Sequence, residues 1–304
     1  MNVVLGYGNV GRLIAEELRA SGEDVMVVRH AGGKIEGLES ITVDALDRQS
    51  VEQALHGAQR VFVTTGLEYN LKVWQRDWPI LIDNVIAGAK VTNAKLIFID
   101  NIYLYGPAPL QNPITEEHPR KPVSRKGLVR LGLVEELEEA ERDGLDVLIV
   151  RCADFYGPKV ASSGITMAIE AMVKSKTGYF MGDPKTRHTY SYVPDIARAS
   201  VALAIADDTY SQTWHAPSAA ALTGNELMTL VDETMGKKGK WKTMSRNSML
   251  LMGVFIPILR ELREMMYQFE SDYVFDSSKF ASRFPDFKLT SYEEGIKATV
   301  SSNT

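Results

Sequence analysis

The chain has 304 residues, of which 45% are hydrophobic and 24% are charged, a composition typical of a folded globular protein. Its formal net charge is −5, with Lys and Arg dispersed along the chain, which excludes the basic surface of a nucleic-acid-binding protein and favours a small-molecule ligand. No apolar stretch reaches the ~20 residues of a membrane span, and no signal peptide is recognisable, so a cytoplasmic location is expected. Cys152 is the only cysteine, which excludes an internal disulfide, and its apolar neighbours indicate a core residue.

Apolar runs rich in β-branched residues alternate with helical patterns along the first half of the chain. We predict strands at residues 2–5, 24–29, 40–44, 60–65, 95–100 and 146–151. Amphipathic helices are predicted at residues 9–20 and 127–143, whereas the Gly-rich segment 30–37 is too short for the usual crossover helix. This alternation predicts an α/β fold with a Rossmann-type doubly wound parallel sheet.

Regular alternation ends near residue 151, which predicts two regions. Residues 1–155 are expected to form an NADP-binding Rossmann domain, to which a later segment at about 185–205 returns. Residues 156–304 are expected to form a smaller, mostly helical region that binds the substrate. A loop at 105–124 contains five prolines and is typical of a loop that carries a site. The apolar run 249–259 is interpreted as a buried or substrate-covering segment, with an interfacial segment as the alternative.

The first predicted strand runs directly into a G-x-G-x-x-G motif that opens an amphipathic helix. In such a motif one glycine makes a tight turn, one lets the backbone approach a pyrophosphate, and one lets helix and strand pack closely. The helix N-terminus adds free N–H groups that favour an anion. A strand before the motif and a helix after it are the context that a dinucleotide site requires. The predicted cofactor-binding residues of this motif are Gly6, Gly8, Asn9, Val10 and Gly11.

The second strand ends at Arg29, where an NAD-specific site would carry Asp or Glu to hold the ribose hydroxyls. A guanidinium suits a 2′-phosphate instead, and one charge-assisted hydrogen bond contributes about 1.5–3 kcal/mol, or roughly a ten- to hundred-fold preference for NADP. The alternative is a solvated arginine at a strand end. We therefore predict that the cofactor is NADP, as NADPH, rather than NAD.

Two further residues at strand ends are candidates for cofactor binding. Asp44 closes the third strand, where its carboxylate could accept a hydrogen bond from the adenine amino group or cap the helix that begins near Asp47. Thr64, at the end of the fourth strand, is also included among the predicted cofactor-binding residues. No metal site is predicted.

Several motifs together carry a family resemblance that extends from residue 1 to about residue 200. They are the glycine motif, Asp44, the segment Ile-Tyr-Leu-Tyr-Gly at 102–106, the segment Arg-Cys-Ala-Asp-Phe-Tyr-Gly-Pro at 151–158 and the segment Tyr-Ser-Tyr-Val-Pro-Asp-Ile-Ala at 190–197. The chain resembles the extended or atypical branch of the short-chain dehydrogenase/reductase superfamily, the NAD-dependent epimerase/dehydratase-like proteins. This resemblance implies that Asp44 lies beside the adenine, and it suggests a homodimer formed through the helices after the fourth and fifth strands.

The catalytic positions of that family differ in this chain. The family places Ser or Thr five residues before the glycine of its Tyr-Gly pair, and here that residue is Asn101. It places Tyr-x-x-x-Lys at the start of the next helix, and here the alignment gives Lys126 and Arg130, so the usual proton donor is missing. Tyr103 stands where dehydratase-like members carry an acid/base group, and its phenol could replace the donor. The alternative is that Tyr103 packs beneath the proline-rich loop and that Lys126 is solvated.

We therefore expect an NAD(P)-dependent oxidoreductase or epimerase/dehydratase-like enzyme that transfers a hydride to or from a small carbonyl or hydroxyl substrate. That substrate would lie between the carboxyl ends of the strands and the C-terminal region. Asn101, Tyr103 and Lys126 would orient and polarise the substrate oxygen, and Lys126 is also a candidate contact of the cofactor. Further candidate pocket residues are Asp154, Arg187, His188 and Tyr190. The alternative function is a non-catalytic NADP-binding sensor or scaffold, which the missing tyrosine favours.

Overall fold

The computed structural model describes residues 1–161 and 163–303. Its strands are β1 (Asn2–Leu5), β2 (Val25–Arg29), β3 (Glu39–Thr42), β4 (Arg60–Val63), β5 (Lys95–Asn101), β6 (Val147–Cys152), β7 (Asp154–Tyr156), β8 (Gly178–Met181), β9 (Arg187–His188), β10 (Tyr190–Tyr192), β11 (Gln212–His215), β12 (Leu222–Thr223) and β13 (Trp241–Met244). Its α-helices are α1 (Asn9–Ala20), α2 (Arg48–Ala54), α3 (Leu71–Thr92), α4 (Arg125–Arg142), α5 (Gly164–Val173), α6 (Val193–Ile205), α7 (Gly224–Met235), α8 (Arg246–Met252), α9 (Pro257–Arg263), α10 (Ser278–Arg283) and α11 (Tyr292–Ser301).

A seven-stranded sheet with the strand order β11-β6-β5-β4-β1-β2-β3 forms the centre of the fold. The strands β3, β2, β1, β4 and β5 are paired in parallel, with Val4 opposite Val27 on one side and Phe62 on the other. These three side chains are completely buried. This is the strand order of a Rossmann fold, whose ligands bind outside the carboxyl ends of the strands where the order reverses, between β1 and β4.

The predicted α/β fold class is confirmed. β1 and α1 have the predicted bounds, and the other predicted elements differ from the observed ones by one or two residues at their ends. Segment 30–37 contains no helix, as predicted. The sequence pattern does not predict the small sheets β7–β10, β8–β13 and β9–β12, because strands of two to four residues carry too little periodicity to be recognised.

The chain divides into two compact units of similar length. The first contains Met1–Asn101, Lys126–Arg151 and Ile196–Trp214, and it includes most of the seven-stranded sheet. The second contains Ile102–Arg125, Cys152–Asp195 and His215–Thr304, and it holds the three two-stranded sheets besides its helices. The later segment of the first unit begins at Ile196, not near residue 185, and most of the proline-rich loop lies in the second unit.

The apolar run 249–259 forms most of α8, a turn and the start of α9. Met249 and Leu259 are buried in a cluster with Met266 and Phe269, but most of the run is exposed. The interpretation as a buried segment is therefore wrong for most of these residues, because two short helices can turn only part of their surface toward the cluster. Within the described ranges, no helix is both long enough and apolar enough to cross a membrane.

Candidate functional site

The glycines of the motif after β1 meet different steric demands. Gly6 has φ +106°, in the left-handed region, and a Cβ there would lie 2.8 Å from the Thr65 nitrogen. A Cβ on Gly11 would lie 2.1 Å from the Gly6 carbonyl oxygen and 2.3 Å from the Thr64 hydroxyl. Gly8, by contrast, is exposed, and a Cβ there would meet nothing within 4 Å. Two glycines are thus required by the turn and its packing, whereas the third leaves open space.

Open space at Gly8 suits the approach of a pyrophosphate. Gly8 is the N-cap of α1, where no side chain caps the helix, and the first turn of α1 contains no acidic residue. The turn therefore presents backbone N–H groups and the positive end of the helix dipole without a competing carboxylate. This chemistry fits the charge and the acceptor oxygens of a dinucleotide pyrophosphate. Asn9 and Val10 follow in the first turn of the same helix.

Thr64 stabilises the glycine turn from the neighbouring strand. It follows β4 directly, and its hydroxyl lies 3.1 Å from the Leu5 carbonyl oxygen and 3.0 Å from that of Gly6. The Thr65 hydroxyl also donates to the Leu5 oxygen, at 3.1 Å. These contacts bring Thr64 to the predicted cofactor loop, with its hydroxyl turned toward the protein backbone.

Arg29 is the last residue of β2, beside β1 in the sheet. Its guanidinium carbon lies 6.0 Å from the centroid of the Tyr7 ring. On the other side it packs on Gly32, where a Cβ would lie 2.8 Å from a terminal guanidinium nitrogen. Its Nε is buried without a hydrogen-bond partner, and no carboxylate of the described residues pairs with it. The loop after β2 thus packs around a cation that has no carboxylate partner among the described residues.

Asp44 lies on the exposed loop after β3 and does not cap α2. Its carboxylate accepts a hydrogen bond from the Leu46 nitrogen at 3.0 Å. The N-cap of α2 is Asp47, whose carboxylate accepts from the Ser50 nitrogen at 3.0 Å. Of the two local roles predicted for Asp44, the helix cap is therefore wrong, and the contact with adenine stays a prediction.

Lys126 lies in the first turn of α4 and its side chain is completely buried. Its Nζ is 4.7 Å from the centroid of the Tyr69 ring, which belongs to the loop between β4 and α3. A cation over an aromatic face is stabilised by about 0.5–2 kcal/mol, the upper value applying when the pair is desolvated. The alternative of a solvated lysine is therefore wrong. Sequence reasoning missed Tyr69, since no spacing links it to a residue so far along the chain.

Asn101 and Tyr103 follow one another closely in the chain but belong to different units. Asn101 is the last residue of β5 in the first unit. It lies at the carboxyl edge of the sheet and is half-buried. Tyr103 lies in the turn that begins the second unit. There it is close enough to Tyr273 to act on that phenol electrostatically.

Arg130 stands one turn after Lys126, at the place where the resemblance expects the family's lysine. Its Nε and one terminal nitrogen donate to Asp100 Oδ1 at 2.8 and 2.5 Å, and its guanidinium carbon lies 4.7 Å from the Phe98 ring centroid. Arg151 Nε donates to the other carboxylate oxygen of Asp100 at 3.1 Å. All three charged side chains are buried. Arg130 is therefore held by the core of the first unit, a role that sequence spacing did not reveal.

Three of the candidate pocket residues of the second unit, Asp154, His188 and Tyr190, contact one another in a cluster around the His188 ring. The imidazole is stacked between Phe269 and Tyr273, with ring centroids at 4.7 and 4.3 Å. Its Nε2 donates to Asp154 Oδ2 at 3.0 Å, and the Asp154 side chain keeps 29% of its surface exposed. Tyr190 packs against the same imidazole at 4.6 Å. His188 thus fixes a carboxylate that remains accessible.

Among the described residues of this unit, the Tyr273 hydroxyl and Gln268 Oε1 are buried side-chain atoms without a hydrogen-bond partner. Burial, reinforced by the negative charge of Asp154, raises the pKa of the Tyr273 phenol well above its ordinary value. Tyr273 therefore stays neutral over the physiological range and can serve as a donor. Arg187, the remaining candidate, is exposed on β9.

Within the described ranges, no group of three or more His, Cys, Asp or Glu side chains is placed to hold a metal ion. The sheet order and the glycine turn that opens α1 are those of a dinucleotide-binding protein of the Rossmann class. Comparison with known proteins gives its family. The chain belongs to the NAD dependent epimerase/dehydratase family, whose model matches residues 3–213. The expected epimerase/dehydratase-like enzyme that uses a nicotinamide dinucleotide is thereby confirmed.

Individual relatives are distant in sequence but similar in fold. A protein of Methanocaldococcus jannaschii named "Putative UDP-glucose 4-epimerase" is 24% identical over 255 residues, which cover 77% of this chain and 82% of that protein. The UDP-glucose 4-epimerase of Thermotoga maritima, solved with UDP-glucose, is 22% identical with a TM-score of 0.80 over 99% of this chain and 98% of that one. The UDP-glucuronic acid 4-epimerase of Bacillus cereus, solved with NAD, is 15% identical with a TM-score of 0.80 over 100% and 98% of the chains.

Proposed function

We propose that this protein is an NADP-dependent oxidoreductase of the epimerase/dehydratase type in which Lys126 replaces the missing tyrosine. The observation that carries the proposal is the complete burial of Lys126 at the tyrosine's place in the first turn of α4. Burying a charged group costs free energy, and a strongly buried charge at such a position is typical of a functional site.

Hydride transfer at a carbon that bears oxygen requires a proton to move to or from that oxygen. The nicotinamide ring, when bound, supplies or accepts the hydride. When a carbonyl is reduced, the Lys126 ammonium is proposed to donate a proton to the substrate oxygen; when a hydroxyl is oxidised, the neutral Lys126 amine is proposed to accept that proton. The Asn101 amide is proposed to orient the same oxygen. The ring of Tyr69 faces the ammonium and stabilises its charge. Tyr103 is also proposed as a catalytic residue through its phenol, and the Tyr103→Phe variant tests whether that hydroxyl is needed for turnover.

The cofactor is proposed to be NADP, although the Bacillus cereus relative is solved with NAD. Arg29 supports this choice, because it is a cation with a buried, unpartnered Nε at the end of β2. A 2′-phosphate would provide both the missing counter-ion and the missing acceptor. The proposed pyrophosphate contacts are the glycine-loop residues Gly6, Gly8, Asn9, Val10 and Gly11, with Thr64 supporting the turn, and Asp44 is proposed to contact the adenine.

The substrate is proposed to be a sugar or another polyhydroxylated small molecule, carried by a nucleotide as in the relatives' names. Asp154 supports a hydroxyl-bearing substrate, because its partly exposed carboxylate is fixed by His188 and can accept hydrogen bonds from hydroxyl groups. The buried Tyr273 hydroxyl adds a donor to the same cluster.

The test is turnover with NADP⁺ or NADPH against a panel of UDP-sugars and small carbonyl compounds, followed in two ways. Cofactor absorbance detects net oxidation or reduction, and chromatography of the sugar products detects epimerisation or dehydration, in which the cofactor returns to its starting state. Lys126→Met keeps the length of the side chain and removes its charge, and the exposed Lys72→Met is its matched control. We expect Lys126→Met to lose about 10²- to 10⁴-fold in rate and Lys72→Met to retain full activity.

Two outcomes contradict this proposal. Tight cofactor binding without turnover of any substrate by either readout would identify a non-catalytic sensor or scaffold. Full activity of Lys126→Met would show that another residue handles the proton.

A further inference from the structure

A short helical hairpin in the second unit carries a run of exposed apolar side chains. Its exposed side chains, called here the apolar tip, lie on α8, α9 and the turn between them. They are Leu250 (55% exposed), Leu251 (74%), Val254 (70%), Phe255 (85%), Ile256 (41%) and Ile258 (44%). Six exposed apolar side chains thus lie within nine consecutive positions, and an exposed apolar patch of this kind is typical of an interaction site.

The hairpin beneath the apolar tip is firmly built. Met249 and Leu259 are buried on its inner side, in the cluster with Met266 and Phe269. Arg246, at the start of α8, forms a two-fold hydrogen-bonded ion pair with Glu270, with both distances at 2.8 Å. The apolar tip is therefore held in place by a packed base. Its side chains are exposed on a folded hairpin and not on an unfolded segment.

Basic residues flank the apolar tip on both sides in the sequence. No charged residue occurs between Arg246 and Arg260, and in segment 237–263 Glu261 is the only acidic residue. Besides Arg246, which is paired with Glu270, the exposed cations of this segment are Lys237, Lys238, Lys240, Lys242, Arg260 and Arg263. An uncharged apolar run flanked by basic residues is typical of a segment that lies in the interface of an anionic bilayer.

We propose that the apolar tip inserts into the headgroup region of an anionic lipid bilayer, with the flanking Lys and Arg side chains contacting the lipid phosphates.

A second copy of the chain fits the surface less well. In a symmetric dimer the same surface meets itself, so the cations around one tip would face those around the other. A stable dimer also needs about 800 Å² per partner, which calls for more than one short hairpin. This inference is independent of the catalytic proposal.

The test is flotation of the purified full chain with vesicles of phosphatidylcholine alone or mixed with phosphatidylglycerol. Leu251→Asp and Phe255→Asp place a charge in the tip, and Val91→Asp, at an equally exposed position on α3 (75%), is the matched control. Arg260→Glu tests the basic surround, and the exposed Lys297→Glu on α11 is its control. Because the substituted side chains are exposed, we expect thermal unfolding midpoints close to that of the original chain.

We expect the chain to float with the anionic vesicles, and each tip variant to lower the bound fraction about tenfold or more. Arg260→Glu should weaken binding several-fold, and both controls should bind as the original chain does. As a second readout, Phe255→Trp should show a blue-shifted tryptophan emission when anionic vesicles are added, relative to the original chain. The proposal is overturned if the chain fails to float, or if Val91→Asp lowers binding as much as Phe255→Asp. It is also overturned if the tip variants only convert a dimer into a monomer, as measured by light scattering.

Discussion

The carboxylate of Asp100 accepts two hydrogen bonds from Arg130, at 2.8 and 2.5 Å, inside the core of the first unit. Arg130 stands four residues after Lys126, where the resemblance expects a lysine that assists catalysis. In this chain that position is occupied by a guanidinium stacked on the rings of Trp78 and Phe98. The two residues aligned with the family's tyrosine and lysine therefore differ in role. Arg130 stabilises the fold, and Lys126 is the candidate catalytic residue.

Loss of the Arg130 guanidinium should destabilise the protein strongly. Arg130→Met removes two of the hydrogen bonds to the buried Asp100 carboxylate and leaves Arg151 as its ion-pair partner among the described residues. Breaking a buried ion pair from one side costs about 3–5 kcal/mol. Urea unfolding measures this directly, with Arg142→Met on the exposed end of the same helix as control, for which about 0.5 kcal/mol or less is expected. Equal stability of the two variants would show that the Asp100 pair is not needed by the core.

The two glycine positions at the start of α1 should separate folding from binding. Gly11→Ala brings a Cβ to 2.1 Å from the Gly6 carbonyl oxygen, so we expect a lower unfolding midpoint. Gly8→Ala meets nothing within 4 Å, so we expect an unchanged midpoint but weaker cofactor binding, because the methyl group occupies the proposed pyrophosphate space. Thermal unfolding and cofactor titration check both variants. Undiminished cofactor affinity of Gly8→Ala would place the pyrophosphate elsewhere.

Tyr69 should act through its ring and not through its hydroxyl. Its ring centroid lies 4.7 Å from Lys126 Nζ, and a contact of 0.5–2 kcal/mol corresponds to about a two- to thirty-fold effect. Once a substrate is identified, we expect Tyr69→Phe to retain most of the turnover and Tyr69→Leu to lose it within that range. If Tyr69→Phe is as damaging as Tyr69→Leu, the phenol itself is required and is the better candidate for the proton donor.

Glu116 should make the stability of the second unit depend on pH. The Glu116 carboxylate accepts a hydrogen bond from the His215 backbone nitrogen at 2.9 Å. Burial raises the pKa of this carboxyl above the ordinary 4.5. The charge of Asp276 raises this pKa further, whereas that of Lys279 opposes the shift. An acid whose pKa is raised on folding favours the folded state below its unfolded pKa, and this contribution is lost as pH rises through the folded value.

In Glu116→Gln the side chain cannot ionise, so the stability that the original chain loses at higher pH is not lost. The unfolding free energy of Glu116→Gln minus that of the original chain should therefore increase as pH rises above the ordinary pKa of 4.5. Urea unfolding at several pH values between about 4 and 7 measures the trend. The exposed neighbour Glu117→Gln is the control. A difference between Glu116→Gln and the original chain that is independent of pH would refute the assignment.

The first unit could largely be predicted from the sequence, because its strands are buried runs and its helices have clear apolar faces. The glycine motif, Arg29 and Asn101 stand at strand ends, where a parallel sheet collects its ligand-binding residues on one edge. What could not be predicted depends on contacts between distant segments. Tyr69 comes to Lys126 from another loop, and the pairing of Arg130 with Asp100 follows from packing and not from spacing.

The second unit was harder to predict for two physical reasons. Its strands are too short to show alternation, and its apolar residues do not all face a core. Phe255 is 85% exposed, and an apolar run can lie either in a core or on an exposed surface, which its sequence does not distinguish. His188 and Asp154 were candidates separately, but their hydrogen bond depends on β9 and β7, which no sequence pattern indicated.

The choice between NADP and NAD can be measured without knowing the substrate, because it depends on the glycine turn and Arg29. We propose calorimetric titration of the original chain and of Arg29→Ala with NADPH and with NADH. We expect the original chain to bind NADPH about ten- to hundred-fold more tightly than NADH, and Arg29→Ala to lose this preference while its affinity for NADH is unchanged. Equal affinities of the original chain for the two cofactors, or a preference for NADH, would contradict this prediction.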